Sequence, residues 1–119
     1  MLKKLSLIII LSLFVPSTLS FVYGHSKHHV TYPLNNSVVN YLPVTFSLKF
    51  EKKTYVSKYT VFLNGREIVN KRLENAIIFK HSFSFKDLLR NYGKYRVVWR
   101  ALGMDGHIVK GEVFFEITK

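Results

Sequence analysis

The chain contains no cysteine among its 119 residues, so no disulfide can staple it. Stability has to come from apolar burial, which 10 Phe, 7 Tyr and 1 Trp can provide. Internal repeats, low-complexity runs and long linkers are absent as well. That leaves one small domain, near the size at which packing alone suffices. No RNP-like or zinc-finger pattern is present, which argues against a nucleic-acid partner despite a formal charge of +11. The main apolar run, Leu5 to Val15, is too short to cross a bilayer.

What that run does match is an exported chain's leader. Lys3 and Lys4 precede it, Pro16 ends it, and Ser17 to Gly24 lead to a cleavage site. Residues 1–24 therefore read as a signal peptide, with an uncleaved membrane anchor as the alternative. Cleavage after Ser20 would start the chain at Phe21, and cleavage after Gly24 would start it at His25. The second removes two lysines and no acid, leaving residues 25–119 with a formal charge of +9. The remaining bases mostly alternate with apolar residues, as on the solvated faces of strands. Attraction to an acidic partner or to lipid head groups is the other reading.

Strand signals recur at short intervals. His28 to Tyr32 is a first strand, ended by Pro33 and the Asn35-Asn36-Ser37 cluster. Val44, Phe46, Leu48 and Phe50 alternate with polar residues, and Tyr59, Val61 and Leu63 repeat the pattern. Asn64-Gly65 is a type I′ hairpin turn returning through Glu67 to Asn70. Ile77–Phe79 and Phe83–Phe85 are short strands, and Lys86 to Tyr92 could form one helical turn. Tyr95, Val97 and Trp99 alternate with Arg96, Val98 and Arg100, and Val113, Phe115 and Ile117 alternate with Glu112, Phe114 and Glu116. Pairing these last two strands antiparallel would bring Glu112 and Glu116 near Arg96 and Arg100. Six to eight such strands predict an all-β fold, an Ig-like β-sandwich or small Greek-key β-barrel.

Between those two strands stands Asp105-Gly106-His107, an acid and an imidazole on the same side of an extended backbone. That is half of a metal site. The other half is expected at the exported N-terminus, because a chain beginning at His25 offers its terminal amine and its imidazole together. The amine's reference pKa of ~7.7–8.0 is low enough for a metal to displace the proton at neutral pH. Three nitrogens and a carboxylate oxygen from His25, Asp105 and His107 suit tetragonal Cu(II). Zinc competes, but it prefers tetrahedral sites and seldom takes an amine. His81, between two apolar stretches, is expected to be an ordinary surface or core histidine. His28 and His29 lie close enough in sequence to add a nitrogen.

These residues carry a resemblance to the copper resistance protein C (CopC) family. Gly93-Lys-Tyr95-Arg-Val97-Val-Trp99-Arg100, followed by Asp105-Gly106-His107 and Gly111, is similar to that family's C-terminal hallmark. Gly103 stands where the family usually has Ser. His25 and Pro33 keep the family's interval between the mature N-terminal His and a turn proline, which favours cleavage after Gly24. The resemblance implies a periplasmic protein holding one Cu(II) through His25, Asp105 and His107, a carrier or buffer in copper homeostasis and resistance. It does not imply catalysis, and members of the family often work beside an inner-membrane partner of the CopD type. Some members carry a Met-rich loop for Cu(I). The exported chain has only Met104, and one thioether cannot make such a site.

Two other classes stay open. Copper oxygenases also hold copper at an N-terminal histidine, but they are usually longer, and Asp105 would fill a position that oxygen chemistry needs open. In a metal-free Ig-like adhesion or chaperone module, Asp105 and His107 would only cap a turn.

Overall fold

The computed structural model describes residues 29–73, 76–85 and 89–119. Seven strands account for its regular structure: β1 (His29–Tyr32), β2 (Ser37–Val39), β3 (Ser47–Leu63), β4 (Arg66–Arg72), β5 (Lys80–Ser84), β6 (Gly93–Gly103) and β7 (Ile108–Ile117). They form one curled sheet in the order β1-β3-β6-β7-β2, with β4 and β5 also paired to β3. All pairings are antiparallel except β2 with β7, which is parallel. The fold is an all-β sandwich, as the alternation predicts, with no helix among the described residues.

The organising element is β3. The sequence suggests two strands, Val44–Phe50 and Tyr59–Leu63; the structure joins them into one strand of 17 residues. Its first part pairs with β1 and β5 and its second with β4 and β6. Between the two parts the ladder is broken. Lys49 faces Ser82 and Thr54 faces Lys80, so Phe50 to Lys53 stand opposite His81 alone. Such a bulge bends the strand and lets one strand contribute to both layers.

The two halves of β3 close over a shared aromatic core. Phe46 stacks on Phe85 and Phe115 at centroid separations of 5.1 and 6.5 Å. Tyr59 stacks on Phe85, and Tyr95 on Phe115. Trp99 is 2% exposed, tilted against Phe46, with the His29 ring edge-on to it at 5.1 Å. Opposite Trp99 in the β6–β7 ladder is Gly111, the one residue type that leaves room for the indole there.

Local turn chemistry follows the sequence. Asn64 and Gly65 have φ of 49° and 80°, the positive pair that a type I′ hairpin demands. Three expectations need correction. Ile77–Phe79 is not a strand; Ile77 and Ile78 are exposed, so nothing pins them to a sheet face. Residues 89–92 form no helix: Leu89 instead bridges to Val44 through reciprocal backbone hydrogen bonds, while residues 86–88 of that expected turn lie outside the described residues. Arg96 does pair with Glu112, at 3.1 Å, but the register sets Glu116 opposite Lys94 and Arg100 opposite Lys110.

Candidate metal centre

The Asp105–His107 pair is built by the turn that joins β6 to β7. Gly103 N–H donates to the His107 carbonyl at 2.8 Å, and Gly106 N–H to the Gly103 carbonyl at 3.0 Å. Gly106 has φ of 86°, a left-handed position that an L side chain resists. Met104-Asp105-Gly106 is therefore a three-residue hairpin loop with its glycine where the chain must turn back.

Asp105 folds over this loop. Its Oδ1 accepts the backbone N–H of His107 at 3.0 Å, and its Oδ2 accepts Nδ1–H of the His107 ring at 2.9 Å. A carboxylate can only accept, so Nδ1 carries the proton, and neutral His107 keeps its lone pair on Nε2. This is how a carboxylate orients a histidine for a metal. A carboxylate has about four lone-pair sites, so Asp105 keeps acceptor capacity beyond these two bonds. Gly103 leaves this position of the carboxylate free, because a Cβ there would stand 2.8 Å from Asp105 Oδ1 and the carboxylate would have to shift.

The electrostatics match the geometry. The His107 hydrogen bonds, from the side chain first and then the backbone, hold the Asp105 carboxyl below its usual value. The hydrogen bond that His107 donates to Asp105, helped by the carboxylate's charge, raises the His107 imidazole above its own. Both side chains are open to solvent, at 68% and 84% exposure, so an arriving ion meets them directly.

The pair opens onto a cleft of about 590 Å³. Its lining includes Phe50 to Thr54 of the β3 bulge, His29 at the start of β1, His81 of β5, and Met104 beside the pair. The gap exists because β3 pairs with β1 as far as Phe50 and with β6 only from Thr54. His81, expected to sit apart from the site, is on this cleft, its Nδ1 3.2 Å from the Phe50 carbonyl. Alternation could not reveal this, because a bulge leaves no periodic trace in the sequence. His25 and His28 lie outside the described residues. Among the described residues no three His, Asp or Glu side chains are grouped so as to hold one ion.

The CopC domain family matches residues 29–118. The chain belongs to the CopC family. The CopC domain fold is also that of solved structures. CopC from Methylosinus trichosporium OB3b is 22% identical, with 76% of this chain and 93% of that one covered and a TM-score of 0.59. PcoC, a copper resistance protein from Escherichia coli, is 22% identical, with coverages of 75% and 96% and a TM-score of 0.52. A second PcoC structure, described as methionine-rich, is 24% identical over 75% of this chain and 94% of that one, with a TM-score of 0.51. A comparison with curated protein sequences finds no match. The Asp105–His107 turn and Gly111 thus sit inside the CopC domain, and His25 precedes the matched residues.

Proposed function

We propose that the chain is a periplasmic copper-binding protein of copper homeostasis and resistance, exported by cleavage after Gly24. It holds one Cu(II) between the free N-terminus at His25 and the Asp105–His107 pair. It works as a carrier or buffer and not as an enzyme. The observation that carries this reading is the placement of His29 on the same cleft as Asp105 and His107. His25 is four residues earlier, and an extended chain covers ~3.3–3.6 Å per residue, a span that would carry its amine and ring across such a cleft. The pair alone is an incomplete site, and the terminal amine and imidazole would complete a tetragonal nitrogen and oxygen set. Family membership and the likeness to PcoC, a copper resistance protein, support copper as the cargo. A CopD-type membrane protein is the expected recipient or donor.

The chemistry asked of the chain is modest. His25 would close a chelate ring with two nitrogens, His107 would give Nε2, and Asp105 would supply charge and hold the His107 ring. The test is a Cu(II) competition titration on a protein beginning at His25 and on one retaining Gly24 before it. An amide nitrogen is a far poorer ligand than an amine, so the extended chain should bind much more weakly and with a changed visible spectrum. Equal affinities and spectra would remove the N-terminal ligand. Absence of tight binding in both would remove copper.

A further inference from the structure

The outer face of the sheet carries a row of four cations, one on each of four neighbouring strands. Arg72 of β4 is opposite Lys58 of β3, Lys58 is opposite Arg100 of β6, and Arg100 is opposite Lys110 of β7. Directly paired residues point to the same face, so the row is continuous, spanning about 14 Å at the usual strand spacing. Like charges set directly opposite one another destabilise a sheet, and here the conflict occurs three times in succession. None of the four row positions holds an acid, although Arg72 makes a further interaction of its own. The adjacent row, Asn70–Thr60–Val98–Glu112, offers one carboxylate, and that one is bonded to Arg96 at 3.1 Å. On the other side lies an apolar row, Tyr55–Leu102–Ile108, with Ile108 54% exposed. Beyond it comes the turn that bears Asp105 and His107.

We propose that this face docks the chain on an anionic phospholipid surface, with Arg72, Lys58, Arg100 and Lys110 on the head-group phosphates and Ile108 at the acyl boundary. The arrangement favours lipid over an acidic peptide. Long, flexible cations across the strands of an open sheet face need no shape complement, and a bare aliphatic side chain beside them is placed to bury itself at the acyl boundary beneath the head groups. Docked this way, the β6–β7 turn lies at the membrane plane. None of the four cations, nor Ile108, is among the proposed copper ligands, so docking does not depend on copper.

The test is co-sedimentation of the metal-free chain, beginning at His25, with vesicles. The chain should bind phosphatidylcholine vesicles that contain phosphatidylglycerol, leave pure phosphatidylcholine alone, and dissociate at high salt. Each cation at an anionic surface is worth about fivefold in binding, so Arg100→Gln with Lys110→Gln should lower partitioning by roughly 25-fold. Arg72→Gln with Lys110→Gln, which takes the two ends of the row, should do the same. Arg66→Gln with Arg90→Gln removes equal charge elsewhere and should cost much less. Equal losses from all three pairs, equal binding to neutral vesicles, or no binding at all would overturn the proposal. So would row-dependent binding to polyglutamate without binding to vesicles, which would assign the face to an acidic protein.

Discussion

Gly111 lies under the indole of Trp99, so close that a Cβ on it would stand 1.8 Å from the ring carbon Cζ2. The two residues are partners in the β6–β7 ladder, and both belong to the stretch that resembles the CopC hallmark. Their spacing is a packing requirement first, since the largest side chain of the core occupies the space that glycine leaves empty.

Gly111→Ala should therefore destabilise the fold by about 3 kcal/mol, the upper end of the range for overpacking. Trp99→Ala should cost ~3–5 kcal/mol through the cavity it leaves. If the contact is the cause, Trp99→Leu combined with Gly111→Ala should cost less than the sum of the two single changes. Urea denaturation of the four proteins measures this, and strict additivity would show that the glycine matters for another reason.

Gly103→Ser tests the seat of Asp105. The added Cβ would meet Asp105 Oδ1 at 2.8 Å, and a carboxylate at the end of a rotatable side chain can move away without disturbing the fold. The hydrogen bond to His107 should weaken, and the His107 imidazole should then titrate nearer its usual value. An NMR titration of the His107 ring protons reads this directly. An unchanged titration would mean that the pair tolerates a side chain at position 103.

The same pair sets a pH dependence. His107 is raised by its bond to Asp105, so its stabilising contribution is present below the ordinary histidine value and is lost as pH rises through the raised one. Asp105 is lowered, so its contribution is present above the ordinary carboxyl value and is lost as pH falls through the lowered one. The contact is strongest between those limits, and it is small because both groups are exposed. The consequence for metal is larger. Protons should begin to displace Cu(II) from His107 at a pH above the histidine reference of ~6.5. Asp105→Asn should move that onset downward while weakening binding at neutral pH. Competition titrations over a pH series check both, and an onset that stays put in the variant would separate the carboxylate from the ring.

His107→Ala and His81→Ala divide the cleft. His107 is oriented by a carboxylate, whereas the His81 ring on the same cleft is bonded to the Phe50 carbonyl. His107→Ala should cost most of the Cu(II) affinity, and His81→Ala should leave it within about threefold, the scale of an indirect electrostatic effect. Isothermal titration with a competing chelator decides it. Equal losses would mean that copper binds scattered histidines.

Local signals in the sequence were sufficient for β6, β7 and the Asn64-Gly65 turn, but not for Ile77–Phe79 or residues 89–92. Alternation set the inward faces of β6 and β7, because a strand's period of two depends only on neighbours along the chain. Asn64-Gly65 specified its own turn, since positive φ is satisfied within a few residues. The backbone expected to be extended at Asp105-Gly106-His107 is instead a turn, with Gly106 at φ 86° and the Asp105 carboxylate on the His107 N–H. Tertiary structure decided what depends on register between distant strands. It joined two expected strands into β3 and set four residues of it against His81, so the cleft and its histidines follow from a bulge with no periodic signature. It aligned Arg72, Lys58, Arg100 and Lys110, four cations that in sequence look like ordinary solvated positions. The physical reason is the same in each case. Hydrogen-bond registry is a long-range choice, made when the shared core closes, and it determines which exposed side chains become neighbours.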